Sequence, residues 1–251
     1  MRNYLSAECF KTFHRKYFYA ALGVCLVLEA VLLWGYWLTL NWGNPTVNFS
    51  YAATTVSFLL SVGLYATLIT GDVVFSDQYK NDTLKNEVSY GLPRARIYLG
   101  KLGVSILVAL IAAVVMLAFY VVGCWFLFPH DAQDAQGWSL MGYCLAGALP
   151  LWLAAQAVVI ACYFLVGSAT VAAFLAVGIL GVIPSVLQAF GLLFHPVFEM
   201  LRQFTPSVML DSLRNMAFDG GYLGLCWLVG LLWFAAATAL GLFFFQRKEI
   251  R

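Results

Sequence analysis

Glu29 is the one ionisable side chain that falls at the middle of a long apolar run. A carboxylate held in hydrocarbon costs roughly 2.5–3.5 kcal/mol on insertion scales, so it must face protein or water, or carry a proton. Three uses follow: proton coupling, contact with a cationic substrate, or a structural hydrogen bond between helices, for which Gln156 is a candidate partner. Two polar stripes accompany it. Thr54, Ser57, Ser61 and Tyr65 follow at steps of three, four and four, which sets four hydroxyls on one helix face. Gly181, Ser185 and Gln188 stack in the same way. Such stripes line a polar path or let helices approach closely, and both readings stand. Other chemistry is poorly supplied. His14, His130 and His195 lie outside the apolar runs, and no Ser/His pair or paired carboxylates share one depth, so no catalytic residues are expected. The six cysteines show no C-x-x-C and no histidine at ligand spacing, so no metal site is expected. Cys124 and Cys144 come to similar depth near the ends of adjacent runs, which leaves a disulfide between them open.

The elements that must position these residues are membrane spans. The chain is 63% apolar and 10% charged, against about 25% charged in soluble domains. That composition excludes a water-facing globule of 251 residues. About 20 apolar residues cross ~30 Å of hydrocarbon, and six stretches qualify, at roughly 17–40, 50–71, 102–128, 139–166, 170–193 and 221–245. Gly167 to Thr170 is a turn so brief that the fourth and fifth spans must be antiparallel neighbours. Pro184 is expected to kink the fifth.

Charge orients the chain. Arg2, Lys11, Arg15 and Lys16, then Lys80, Lys85, Arg94, Arg96 and Lys101, then Arg247, Lys248 and Arg251 are twelve of its fourteen cations. They cluster at the two termini and in one internal segment; Arg202 and Arg214 fall on the other side. Short loops rich in Lys and Arg stay cytoplasmic, so both termini and the segment near Lys85 are assigned there. No basic stripe lies apart from the membrane flanks, which argues against nucleic acid as a partner. Residues 1–16 place Tyr4, Ala7, Phe10 and Phe13 at helical spacing and read as an amphipathic helix in the inner interface. Residues 194–220 read as two short helices that dip into the outer leaflet, the second capped by Thr205 with Pro206 at its first position and apolar along Val208, Met209, Leu213 and Met216.

Residues 72–101 make the one substantial cytoplasmic loop. Asp82 or Thr83 can cap a short helix that runs through Val88, and Gly91-Leu92-Pro93 breaks it. Arg94, Arg96 and Lys101 then sit at the inner edge of the third span, where their side chains can snorkel to headgroups. The run Asp82, Thr83, Leu84, Lys85, Asn86, followed by Arg94, Ile97, Tyr98 and Lys101, resembles the cytoplasmic loop of permease subunits of type-2 ATP-binding-cassette (ABC) exporters. Asp82 departs from the glycine more usual there. The whole layout is similar as well, from the leader helix to the pieces before the last span.

The resemblance implies an all-α integral membrane fold of six transmembrane helices, one permease domain over 1–251, in a bacterial cell membrane. It implies that Thr83, Leu84, Lys85, Asn86 and Glu87 form a coupling helix that docks on a cytoplasmic ATPase, with Arg94 and Arg96 at the docked edge. It also implies a second permease copy or paralogue, with Thr54, Ser57, Ser61, Tyr65, Gly181, Ser185 and Gln188 lining the path between them. ATP and magnesium would belong to the ATPase, because this chain has no G-x-x-x-x-G-K-[ST] loop and binds no cofactor of its own. Two other classes stay in view: a secondary transporter, and a membrane sensor or immunity subunit that transports nothing. The substrate is not legible.

Overall fold

The computed structural model describes residues 2–44, 46–80, 83–216 and 218–248, and over these it is helical without a strand. α1 (Arg2–Phe13) leads into α2 (Lys16–Asn41) and α3 (Phe49–Lys80). A short α4 (Thr83–Ser89) precedes the long α5 (Arg94–Leu127) and α6 (Asp134–Leu165). The fifth apolar run is broken into α7 (Ala169–Val177), a π-helical turn (Gly178–Val182) and α8 (Ile183–Leu193). Then come α9 (Val197–Gln203), α10 (Pro206–Ser212) and α11 (Gly220–Arg247). Six of these, counting α7 through α8 as one, are long and apolar enough to cross a membrane.

The centre of the bundle is α6. It is apolar on every side, and such a helix is stable only when surrounded. α11 and α3 enclose it, and α5, α7 and α10 add to the sheath. Pro150 lies within α6, and α11 meets it at a glycine. A Cβ placed on Gly230 would come 2.7 Å from the Pro150 carbonyl carbon. Only a residue without a side chain permits that approach.

The segment 72–101 is not a loop. Residues 72–80 continue α3, 83–89 form α4 and 94–101 open α5. Hydropathy falls where the apolar run ends, but residues 72–80 contain no Gly or Pro and nothing there stops the helix. α4 matches the expected short helix and ends before Gly91, whose φ of +79° suits a residue without Cβ. The cap expected from Asp82 or Thr83 falls outside the described residues and side chains.

The face of α1 differs from the expected one. Ala7 and Phe10 are exposed, while Leu5, Glu8, Cys9 and Thr12 turn toward the bundle. The Glu8 carboxylate faces inward because a cation waits for it there, and the Thr12 hydroxyl donates to the Glu8 carbonyl at 2.8 Å. At the opposite end of the molecule, Asn48 Nδ2 donates to Asp131 Oδ2 at 2.6 Å and the Phe49 amide to the Pro129 carbonyl at 3.0 Å. These bonds tie the start of α3 to the α5–α6 turn. All six cysteines are free, Cys124 and Cys144 among them.

The two short helices before α11 form as expected, and Met209 and Leu213 are buried while Met216 is exposed. Thr205 holds the N-cap position of α10, but its hydroxyl donates back to the Arg202 carbonyl at 2.7 Å instead of accepting from the helix. The elbow between α9 and α10 reaches deep. The Trp233 indole donates to the Phe204 carbonyl at 2.9 Å; at 1.5 Å per residue Trp233 lies about 20 Å along α11. Ser207 donates to the Leu180 carbonyl at 2.8 Å, inside the π-helical turn of the fifth run.

Candidate functional site

Lys101 is completely buried, not extended to headgroups. Its ammonium lies 3.1 Å from Glu8 Oε2 and 3.2 Å from Glu87 Oε1. Tyr4 donates to Glu87 Oε2 at 3.0 Å, and the rings of Tyr4 and Phe75 lie about 6 Å from the ammonium, within cation–π range. One lysine of α5 therefore fastens α1 and α4 together with a ring from α3. Burial, and then the Glu8 and Glu87 charges, push the Tyr4 phenol far above its ordinary pKa, so it remains a donor. Charged groups this enclosed persist only when paired, because unpaired burial costs several kcal/mol.

This cluster sorts the expected coupling residues. Leu84 and Glu87 turn inward, Glu87 with its carboxylate on Lys101, while Lys85 and Asn86 are exposed. Thr83 opens the helix. Arg94 is held elsewhere: its guanidinium donates to the carbonyls of Phe245, Gln246 and Lys248 at 2.9, 2.6 and 2.8 Å, closing the last turn of α11. Arg96 is exposed. Lys248 performs the same service for α6, donating to Phe164 and Leu165 carbonyls at 3.1 and 3.0 Å, and burial lowers its pKa. The final carbonyls of a helix have no partner within it, and cations are the natural supplement.

The two polar stripes meet at one point. A Cβ on Gly181 would lie 3.2 Å from the Tyr65 hydroxyl, so α3 and the π-helical turn touch where the stripes cross. Tyr65, Ser185 and Gln188 are exposed on the monomer, Thr54 and Ser61 are half-buried, and Ser57 is buried with its hydroxyl on the Thr54 carbonyl at 2.6 Å. Ser185 donates to the Gly181 carbonyl at 3.1 Å.

Glu29 is elsewhere, on a cavity of about 100 Å3 between α2, α3, α5 and α6. Its carboxylate is buried and Oε2 has no hydrogen-bond partner. Gln156 lies on the same cavity, but its amide is bonded to Thr70 at 2.8 Å, leaving its other terminal atom unpartnered. The bond expected between Glu29 and Gln156 is therefore replaced by one from Gln156 to Thr70. Sequence reasoning missed Lys101, Glu8 and Tyr4 as a unit. Its available signal was Glu8, the one acid among the four cations of residues 1–16.

The family model for ABC-2 family transporter proteins matches residues 4–185, from the leader helix into the fifth run. No curated protein matches the chain. With six span-length helices and a match over most of its length, the chain is a multi-pass membrane protein and belongs to the ABC-2 transporter family, as one of its membrane (permease) proteins.

Proposed function

We propose that this chain is the membrane subunit of an ATP-driven exporter, powered by a separate cytoplasmic ATPase that binds ATP and magnesium. The observation that carries the reading is the fastening of α4: Glu87, Lys101 and Glu8 lock it to α1 and α5 while Lys85 and Asn86 stay free to meet another protein. A push on the exposed face of α4 is delivered to α1 and α5 as one body, because the joint is charged and buried. The cation bias supports a cytoplasmic position for this end, with α1 along the inner interface and Phe10 toward lipid. The elbow at Phe204 then dips into the membrane from the outer side. Two copies, or this chain and a paralogue, would face each other across Tyr65, Gly181, Ser185 and Gln188, lining the path.

The surface offered to the ATPase is narrower than the whole helix: Lys85 and Asn86, with Arg96 nearby, and not Glu87. The test is Lys85→Glu in the complex purified with its ATPase. ATP hydrolysis by the assembled complex is expected to fall at least fivefold, with an unchanged unfolding midpoint for the membrane chain. Wild-type hydrolysis in that variant would remove α4 as the coupling element.

A further inference from the structure

A second hollow, an open groove of about 240 Å3, lies between the start of α2, the Asp72 stretch of α3, the end of α6 and the start of α7. Leu68, Ile69, Ala169 and Ala173 give it apolar walls. Its polar groups gather at one point. Tyr163 donates to Asp72 Oδ1 at 3.4 Å, and the Tyr17 phenol lies against the same carboxylate. Phenols donate to a carboxylate without cancelling its charge.

Position narrows the occupant. Asp72 directly follows the second apolar run, two turns of α3 beyond Tyr65. The groove therefore stands at the foot of the α3 hydroxyl stripe, where hydrocarbon gives way to headgroups. Positive charge is at hand on the same rim. Arg15 holds the carbonyl of Val73, next to Asp72, and Lys16, next to Tyr17, is exposed. A zwitterionic head lying flat along this boundary meets both signs, its phosphate at the cations and its cation at the carboxylate. Carboxylate and phenol oxygens favour a cation that carries N–H donors, and an ammonium has three. Rings such as those of Tyr17 and Tyr163 add attraction for positive charge. A soluble amine would leave the apolar walls unused. We propose that this groove binds a phospholipid with a primary-ammonium head, the ammonium on Asp72, the phosphate toward Arg15 and Lys16, and a chain along Leu68 and Ala173. The site is built by one chain and does not depend on the coupling of α4 to an ATPase.

The probes are dihexanoyl phosphatidylethanolamine, phosphatidylcholine and phosphatidylglycerol, titrated into the purified full-length chain in detergent. The three share their chains and differ only in the head. The readout is the saturable rise of the unfolding midpoint with lipid. The ethanolamine lipid is expected to bind at least fivefold more tightly than either of the others, and Asp72→Asn is expected to reduce its advantage over the choline lipid below twofold. If Asp72→Asn does not yield folded protein, Ala173→Phe takes its place; it fills the groove without touching a polar group and is expected to weaken binding of the ethanolamine lipid at least tenfold. Equal binding of the ethanolamine and choline lipids by the wild type overturns the proposal, and so does tightest binding of the glycerol lipid, which would mark a merely basic rim. A preference that survives in Asp72→Asn, or tight binding of the ethanolamine lipid that survives in Ala173→Phe, overturns it as well.

Discussion

Lys101 and Glu8 form an ion pair of 3.1 Å with both side chains buried, one near the start of α5 and the other in the leader helix. Removing the cation alone leaves the Glu87 carboxylate without its counter-charge and Glu8 with Lys11 alone, 3.7 Å from its Oε1. Lys101→Met is expected to destabilise the chain by about 3–5 kcal/mol. The triple variant Glu8→Leu, Glu87→Leu, Lys101→Met is expected to recover most of that loss, since a buried ionic cluster replaced as a whole by apolar side chains costs little. Thermal unfolding in detergent measures both. A single variant as stable as the wild type would show that the pair holds nothing together.

Arg94 serves the end of α11. Arg94→Met strips partners from three carbonyls, and charge-assisted bonds of this kind contribute roughly 1.5–3 kcal/mol each at most. The expected signature is local: amide hydrogen exchange over 244–248 accelerates at least tenfold while that of α6 is unchanged. Arg96→Met, at an exposed position on the same turn, is expected to leave exchange as it was.

Two glycines of α11 are expected to respond to alanine with opposite sign. At Gly224 nothing stands within 4 Å of the new Cβ, so Gly224→Ala stabilises by up to about 1 kcal/mol through helix propensity. At Gly230 the Cβ would meet Pro150 backbone at 2.7 Å, and overpacking of about 1–3 kcal/mol outweighs the same gain. Unfolding midpoints of the two variants, measured side by side, decide it.

Orientation has a direct test. In a variant cleared of native cysteines, Lys85→Cys is expected to escape an impermeant thiol reagent in intact cells, and Asp131→Cys to react with it. Labelling of the first and protection of the second would invert the assignment.

Much of the bundle was legible because the bilayer writes it into hydropathy. Six apolar runs became six span-length helices, and Gly91, Pro93 and Pro206 marked where short helices begin or end. The site was less legible, for reasons that belong to tertiary structure. A lysine at the edge of a span looks like a snorkelling lysine, and only the folded position of Glu8, far away in the chain, makes it a core residue. Ala7 and Phe10 formed an apolar stripe on paper, yet the inward face of α1 is chosen by Lys101. Gln156 looked available to Glu29 because both are polar at similar depth; Thr70, one helix over, reaches it first. Thr205 sits where a cap belongs, but the turn ahead of it offers its hydroxyl a nearer acceptor. Local spacing predicts helices well and cannot predict which neighbour a side chain will find.

The cations at the basic end carry two messages at once. On the proposed orientation Arg94 and Lys248 help keep that end on the cytoplasmic side, and the same two side chains close the last turns of α11 and α6. Lys101 has a comparable double duty in the joint with Glu8 and Glu87. Insertion reads charge before the fold exists, whereas the carbonyls and carboxylates claim it afterwards. An attempt to invert the chain by neutralising those residues would therefore yield a protein that is unstable whichever way it inserts. Lys85 and Arg96, exposed and uncommitted to the fold, are the positions at which the address can be rewritten while the structure is left alone.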